Sequence, residues 1–459
     1  MTRDGAKGHG FLGLGIYRHP KVAAQLFLAF SAGLPFLLVF STLSAWLKQA
    51  GVDLTTIGML SWVGLAYTLK FFWAPVVDRV RLPWLTARLG RRRSWMLLAQ
   101  AGIVTGLVLL APHSPTDNLA VFVWLPLLIA FSSATQDIAI DAWRIECVPR
   151  EMYGAMAAAY QLGYRVGITA ASAGALWIAA DLGWTQAYLA MAALMAVGVV
   201  TTLVIDEPAP QVSRDTQARE QRVVDWVEKK AHWPASARDA GAWFIASVVC
   251  PFVDFFARYG APTGALILVF AGCYRLTDFT QGVMANPFYL SMGFSLKEIA
   301  AIVKGLGIFT QLFGAILGGI IVARFGTMRA LFAGIALVVL TNMAYFALAM
   351  IDQPGLVELG AVIGADNIAA GVAGTALVAW LSTLTNPAYT ATQYALFSSF
   401  YALPGKILMG GSGFVVDHAG WPAFFVYTSA LGIPALLLVN VLRRRLPAPP
   451  SASASPART

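Results

Sequence analysis

Apolar runs of about twenty residues recur along almost the whole chain of 459 residues. A run of that length in hydrocarbon has no water to satisfy its peptide groups, so it must bond its own backbone as a helix. Twelve spans are expected, near 23–47, 55–77, 95–112, 119–142, 153–180, 184–205, 263–290, 297–323, 328–350, 356–382, 390–416 and 421–442. Charged residues make up 12% of the chain, well below the share of about 25% usual in soluble domains. The expected fold class is therefore an all-α integral membrane protein with twelve transmembrane helices. The first apolar run lacks an A-x-A-like end, so the first helix is expected to stay as an uncleaved anchor. Cys147, Cys250 and Cys273 lie too far apart for a disulfide framework or a metal-ligand spacing, and neither metal nor cofactor is expected.

The net charge of +9 is distributed by topology. With the N-terminus inside, 25 of the 32 Lys and Arg fall in cytoplasmic segments, and the opposite loops hold only Lys48 and Lys297. That bias places both termini in the cytoplasm and makes anionic lipid, rather than nucleic acid, the partner of the basic segments. The polar interruption from Asp206 to about Ala261 is read as a cytoplasmic central loop. Its stretch Ala240–Ala257 is apolar enough to resemble a span, but Pro251 and Asp254 interrupt it and an interfacial helix fits better.

The two halves look related. GVDLTTIG (Gly51–Gly58) aligns with GFSLKEIA (Gly293–Ala300) at an offset of 242. MYGAMAAAYQLGYR (Met152–Arg165) aligns with QYALFSSFYALPGK (Gln393–Lys406) at an offset of 241, which superposes Arg165 on Lys406. A shared offset supports a six-plus-six duplication, the major facilitator architecture, with a substrate site near the midplane between two six-helix bundles. The expected divisions are a six-helix bundle over 1–205, the central loop with its interfacial helix over 206–262, a second bundle over 263–442, and a disordered cytoplasmic tail over 443–459.

In the fourth span, FSSATQDIAIDAW (Phe131–Trp143) carries Asp137 and Asp141 one helical turn apart on one face. A charge at the bilayer centre costs ~2.5–3.5 kcal/mol on insertion scales, so such residues tend to be functional. The pair is a candidate proton carrier, and pairing with Arg144 or Arg165 is the structural alternative. Lys70, Arg165, Arg275, Asp278, Lys304, Asp366 and Lys406 also fall within spans. Arg275 and Asp278, three residues apart, either neutralise each other or contact substrate. Asp366 and Asn367 occupy the place in the tenth span that Gln136 and Asp137 have in the fourth, but Asp141 has only Gly371 as its counterpart. This asymmetry favours proton coupling in the first half and substrate or gate contacts in the second. Five intramembrane cations favour a substrate bearing carboxylates. Aromatic residues such as Tyr164 offer faces for sugar rings, although aromatics in spans more often pack on helices or lipid.

After the second span, Asp78-Arg79 and then Arg91-Arg92-Arg93 form a stretched version of the facilitator signature G-x-x-x-D-R-x-G-R-K/R. An acid at a helix end facing an arginine cluster makes a cytoplasmic latch that forms in one state and breaks in the other. The cluster also orients the helices, and the two roles are compatible. In the second half Ala323 stands where the acid should fall, so a latch is expected in the first half only.

The segments Gln25–Trp95, Ser133–Arg144, Tyr153–Gly167, Pro251–Arg258, Tyr274–Ile302 and Ala391–Phe400 together resemble the muropeptide permease family, AmpG. The QDI-xx-DA run in the fourth span is the strongest element. The resemblance implies import of N-acetylglucosaminyl-anhydromuramyl peptides across a bacterial inner membrane, driven by protons, in peptidoglycan recycling and, in some bacteria, β-lactamase induction. It assigns Gln136, Asp137 and Asp141 to the coupling and substrate region. Acetyl-CoA transporters are more distant relatives, which leaves another anionic metabolite as an alternative cargo and a non-transporting membrane sensor as an alternative role. An aspartyl hydrolase would need carboxylates facing across a shared water, usually from separate helices. No P-loop is present for an ATP-driven pump. The expected protein is a transporter, not an enzyme, working as a monomer on a muropeptide substrate with protons.

Overall fold

In the computed structural model, residues 17–52, 60–116, 118–209, 241, 245, 249–295, 298–299, 301–408 and 411–446 are described. Helix is the regular structure throughout them, with no strand among the described residues. Among the described residues, eight helices are each long and apolar enough to cross a membrane, and a ninth span results if a pair bent by 105° at Gly260 counts as one. The central-loop residues 210–240, 242–244 and 246–248, and the tail from 447, lie outside the described residues.

The site is built from α1 (Pro20–Leu38), α2 (Ala74–Arg79), α3 (Arg91–Leu110), α4 (Val121–Glu146), α5 (Tyr153–Thr169) and α6 (Ala196–Val204) in the first half of the chain. The second half supplies α7 (Leu276–Ser291), α8 (Gly307–Phe325), α9 (Thr327–Ala349), α10 (Leu356–Leu384), α11 (Thr390–Leu408) and α12 (Ser412–Arg445).

Several expected spans are broken helices. The described part of span 55–77 is a chain of short turns ending in α2, whose Pro75 at the first turn cannot donate to the turn before it. The fifth span runs from α5 through a π segment, Ala170–Gly174, into a helix at Ala175–Leu182. A second π segment, Ala301–Leu306, leads into α8. The seventh span breaks at Arg275, between Ala261–Tyr274 and α7. α11 is described to Leu408, residues 409–410 lie outside the described residues, and the helix from Ser412 kinks at Gly420, whose φ of 77° is open only to glycine at low cost.

Glycines set the closest helix approaches. A methyl at Gly163 or Gly167 would overlap the carbonyls of Leu26 and Phe30, so α5 lies directly on α1. Gly314 and Gly318 likewise bring α8 close to the backbone of Ile368 and Val372 of α10.

Three buried apolar clusters position the site. One, which includes Ile138, Trp143 and Tyr153, continues into Val322, Trp380 and Phe397 and so joins the two halves. A second belongs to the first half alone, around Trp46, Phe122 and Tyr188. The third belongs to the second half alone, around Phe288, Tyr345 and Phe425. The halves therefore share a core at the end that carries Asp78 and keep separate cores at the other.

Candidate functional site

From Ser132 to Ile145, α4 is buried on every face. Such a helix lies inside the bundle, not on its lipid surface. Its two acids meet different neighbours. Asp141 is 3% exposed, with Oδ2 3.8 Å from Lys70 Nζ, and its Oδ1 accepts a hydrogen bond from an Arg144 Nη at 3.3 Å. Asp137 is buried too, and its Oδ1 has no hydrogen-bond partner among the described residues. Lys70 lies within electrostatic reach of Asp137. The acid pair is thus two sites: one carboxylate neutralised by two cations, the other with an acceptor oxygen left over.

Lys70 does not snorkel to the surface; it is 8% exposed and turned onto Asp141. Arg165 is not the partner of the acids. Its electrostatic neighbours are Arg275, Asp278 and Tyr164. Arg275 Nε stands 2.9 Å from Asp278 Oδ2, the mutual neutralisation that their spacing allowed. Asp366 accepts from the Thr341 hydroxyl at 3.0 Å and lies in the field of Asp278 and Arg275, so Arg165, Arg275, Asp278 and Asp366 form one charged group. Tyr164 lies within electrostatic reach of both Asp137 and Arg165.

Three expected substrate residues are placed elsewhere. Gln136 is fully buried and donates to Ser31 Oγ of α1 at 3.3 Å, inside the first half. One residue from Asp137 is a rotation of about 100° around the helix, which turns Gln136 off the acid face. Asn367 donates to its own helix at the Ile363 carbonyl, 2.9 Å away. Lys406 reaches across to the first half and donates to Thr68 Oγ1 at 2.7 Å. The side chain of Lys304 lies outside the described residues.

The Asp78 region does more than face an arginine cluster. Asp78 Oδ1 accepts from an Arg92 Nη at 2.7 Å, and Arg92 also pairs with Glu146 of α4. The same carboxylate caps α11: it accepts from the backbone N–H groups of Ala391 at 3.2 Å and Thr392 at 2.7 Å, and from the Thr392 hydroxyl at 2.6 Å. A carboxylate suits that place because the first turn of a helix leaves N–H groups unpaired and carries partial positive charge. Arg91 donates to the Asp78 carbonyl, and the Arg79 guanidinium lies 5.7 Å from the centre of the Tyr389 ring. Arg93 is not part of this contact. It donates to the carbonyls of Thr202 and Leu203 at the end of α6, the orienting role.

Beside the cap, the short helix Cys250–Tyr259 holds Asp254 and Arg258. Asp254 accepts from Asn386 at 3.1 Å and Gln393 at 3.0 Å, and Arg258 donates to the Leu384 carbonyl at 3.0 Å. The first turn of α11 is thus gripped from both sides. Nothing in spacing alone points to Thr392 or Gln393, because the contacts join residues more than a hundred positions apart. Arg144 escapes notice as a central group for another reason. It sits near a span end, where an arginine counts as loop charge, yet here it is fully buried.

Comparison with known proteins fits this arrangement. The Major Facilitator Superfamily model matches residues 25–409. The anhydromuropeptide permease of Escherichia coli (strain K12) is 34% identical over 436 residues, covering 94% of this chain and 82% of that protein. The protein named AmpG 4 from Rickettsia felis is 32% identical over 436 residues, covering 94% of this chain and 98% of its own length. Among solved structures, the proton:xylose symporter XylE bound to 6-bromo-6-deoxy-D-glucose gives a TM-score of 0.61 at 14% identity, covering 92% of this chain and 95% of that one. The human organic anion transporter MFSD10 gives 0.57 at 16% identity, covering 91% and 97%. At these identities the two structures speak for the fold alone. A family match across most of the chain, joined to permease relatives above 30% identity, makes this a transporter and not an enzyme: the chain is a membrane protein of the Major Facilitator Superfamily and belongs to its anhydromuropeptide permease (AmpG) family.

Proposed function

We propose that the chain imports anhydromuropeptides across a bacterial inner membrane by proton-coupled alternating access, in twelve spans arranged as two six-helix bundles. The substrate assignment rests on the 34% identity to a protein named anhydromuropeptide permease over 94% of this chain. Coupling rests on Asp137, a buried carboxylate with one oxygen unpartnered among the described residues, one turn from a carboxylate already neutralised by Lys70 and Arg144. The unpartnered oxygen is where a proton is taken up. Arg165, Arg275, Asp278 and Asp366 contact the substrate, the arginines through its carboxylates. With both termini cytoplasmic, the Asp78 end faces the cytoplasm, and its cap on α11 closes the exit to that side. Release of the substrate requires Asp78 to leave Thr392. The basic cytoplasmic ends lie against anionic headgroups, and the monomer is the working unit.

The test is uptake of labelled anhydromuropeptide, acetyl-CoA and simple peptides into right-side-out vesicles, by wild type and Asp137→Asn. Gradient-driven accumulation of the sugar peptide, lost in the variant, is the expected result. Accumulation that ignores collapse of the proton gradient overturns the coupling. Uptake of acetyl-CoA in place of the sugar peptide overturns the substrate.

A further inference from the structure

Arg144 is a fully buried cation with bonds to both halves of the chain. One Nη donates to Asp141 of its own helix at 3.3 Å, and the other donates to Ser382 Oγ of α10 at 2.9 Å. The guanidinium carbon lies 4.9 Å from the centre of the Tyr394 ring of α11 and 5.6 Å from that of Tyr160 of α5. Its Nε has no hydrogen-bond partner among the described residues. Among those residues Arg144 forms its ion pair with Asp141, which also pairs with Lys70. A buried arginine is tolerated where its charge is balanced and its donors are used. Here the balance comes from the first half, while part of the anchorage belongs to the second.

We propose that Arg144 is the positioning residue that conveys the charge state of the Asp137–Asp141 pair to the second half. This rests on the coupling reading above. While the pair carries negative charge, Lys70 and Arg144 are both compensated, and Arg144 keeps its hold on Ser382 and Tyr394. When a proton from water settles on a carboxylate oxygen of the pair, the same two cations share less anion. Lys70, which feels both acids, then competes for what remains on Asp141. Arg144 is left undercompensated in a dry site, and its favourable outlet is water. The halves part at this end, Ser382 and Tyr394 are released, and the guanidinium is hydrated. No covalent bond changes; the proton returns to water on the far side when the pair ionises again. The other titratable groups are Cys147 and Tyr153 around Arg144, and Tyr67, Tyr160 and Tyr164 around the acid pair.

Ser382→Ala tests this without touching the acids, and Arg144→Lys keeps the charge while removing the two-pronged bridge. The readout is hydrogen–deuterium exchange of the Ala391 and Thr392 amides, which report the cap on α11, with protein in lipid nanodiscs and rates corrected for intrinsic pH dependence. Wild type is expected to lose protection on going from mildly alkaline to mildly acidic buffer, and both variants are expected to flatten that response. Gradient-driven uptake should fall about tenfold in Ser382→Ala, the weight of one hydrogen bond to a charged group, with substrate counterflow within a factor of about two of wild type. A wild-type pH response in both variants overturns the role of Arg144 and leaves proton coupling standing if Asp137→Asn abolishes that response. Absence of any pH response in wild type overturns the coupling reading and this inference together. Loss of counterflow equal to the loss of driven uptake overturns the inference in favour of plain packing.

Discussion

Asp137 and Asp141 share one helix face and differ in what surrounds them, and this difference is measurable. Asp141→Asn leaves Lys70 and Arg144 buried without their carboxylate, which should destabilise the protein by about 3–5 kcal/mol. Asp137→Asn removes no ion pair among the described residues, and its stability should stay within about 1 kcal/mol of wild type while coupled uptake is lost. Thermal unfolding in detergent alongside vesicle uptake separates the two variants, and equal melting losses would contradict the assignment. The spacing in QDIAID is enough by itself to mark the pair. Which oxygen stays unpartnered depends on Lys70, some seventy residues away, so local sequence does not carry it. Arg144 is hidden for a related reason: an arginine three residues after an aspartate near a span end reads as interfacial charge until the second half is seen to cover it.

Helix starts are where single carboxylates act on whole elements. Asp78 caps a helix in the opposite half of the chain, and Asp78→Asn should cost that cap about 1–2 kcal/mol through weaker bonds and lost charge at the first turn. Faster exchange of the Ala391 and Thr392 amides is the expected sign. A second helix start shows a reciprocal cap: Glu298 accepts from the backbone and hydroxyl of Ser295, and Ser295 Oγ accepts from the Glu298 amide. Glu298 precedes the Ala301–Phe325 span, and the Ser295 donors hold its carboxyl below the usual glutamate range. The depressed value means that the cap's stabilisation is present above the ordinary glutamate value and is lost as pH falls through the lowered one. A carbon-13 titration of Glu298 should show that lowered midpoint, and Ser295→Ala should return it toward the ordinary value. Span positions are legible in the sequence because apolar length is a local property. Their breaks are less so: Pro75 announces one, but the π segments at Ala170–Gly174 and Ala301–Leu306 are marked only by Gly174 and Gly305, and glycine is frequent in membrane helices.

At the scale of the molecule, one shared core and two separate ones define a chain closed at the Asp78 end. A tight contact there sets α5 against α8: a methyl at Gly154 would stand 2.8 Å from the Val322 side chain and 3.1 Å from the Gly319 carbonyl oxygen. Gly154→Val should therefore wedge this end open. About a tenfold rise in the open fraction would need only about 1.4 kcal/mol, well inside the cost of overpacking a tight contact. Limited proteolysis near Pro149–Met152, compared with wild type, measures it, and unchanged cleavage would count against a closed end held by that contact. An expected duplication of the halves is legible as a shared offset in sequence. The side on which they meet is not, because glycines spaced for close packing look alike whether they serve neighbours in one half or partners across the seam.

The π segment after α5 also has a bearing on how the family can vary. Such a segment is in effect one added residue in a helix, and it advances the phase of everything beyond it by about 100°. Trp177 and Leu182, 72% and 65% exposed, lie beyond that step. Removing one residue from Ala170–Gly174 would keep the span hydrophobic yet turn Trp177 and Leu182 by about 100° relative to α5, so length and apolar content could be preserved while the lipid-facing seam was shifted. Insertions and deletions in this helix thus change which faces meet lipid and bundle, a constraint separate from the one that close packing sets on its glycines.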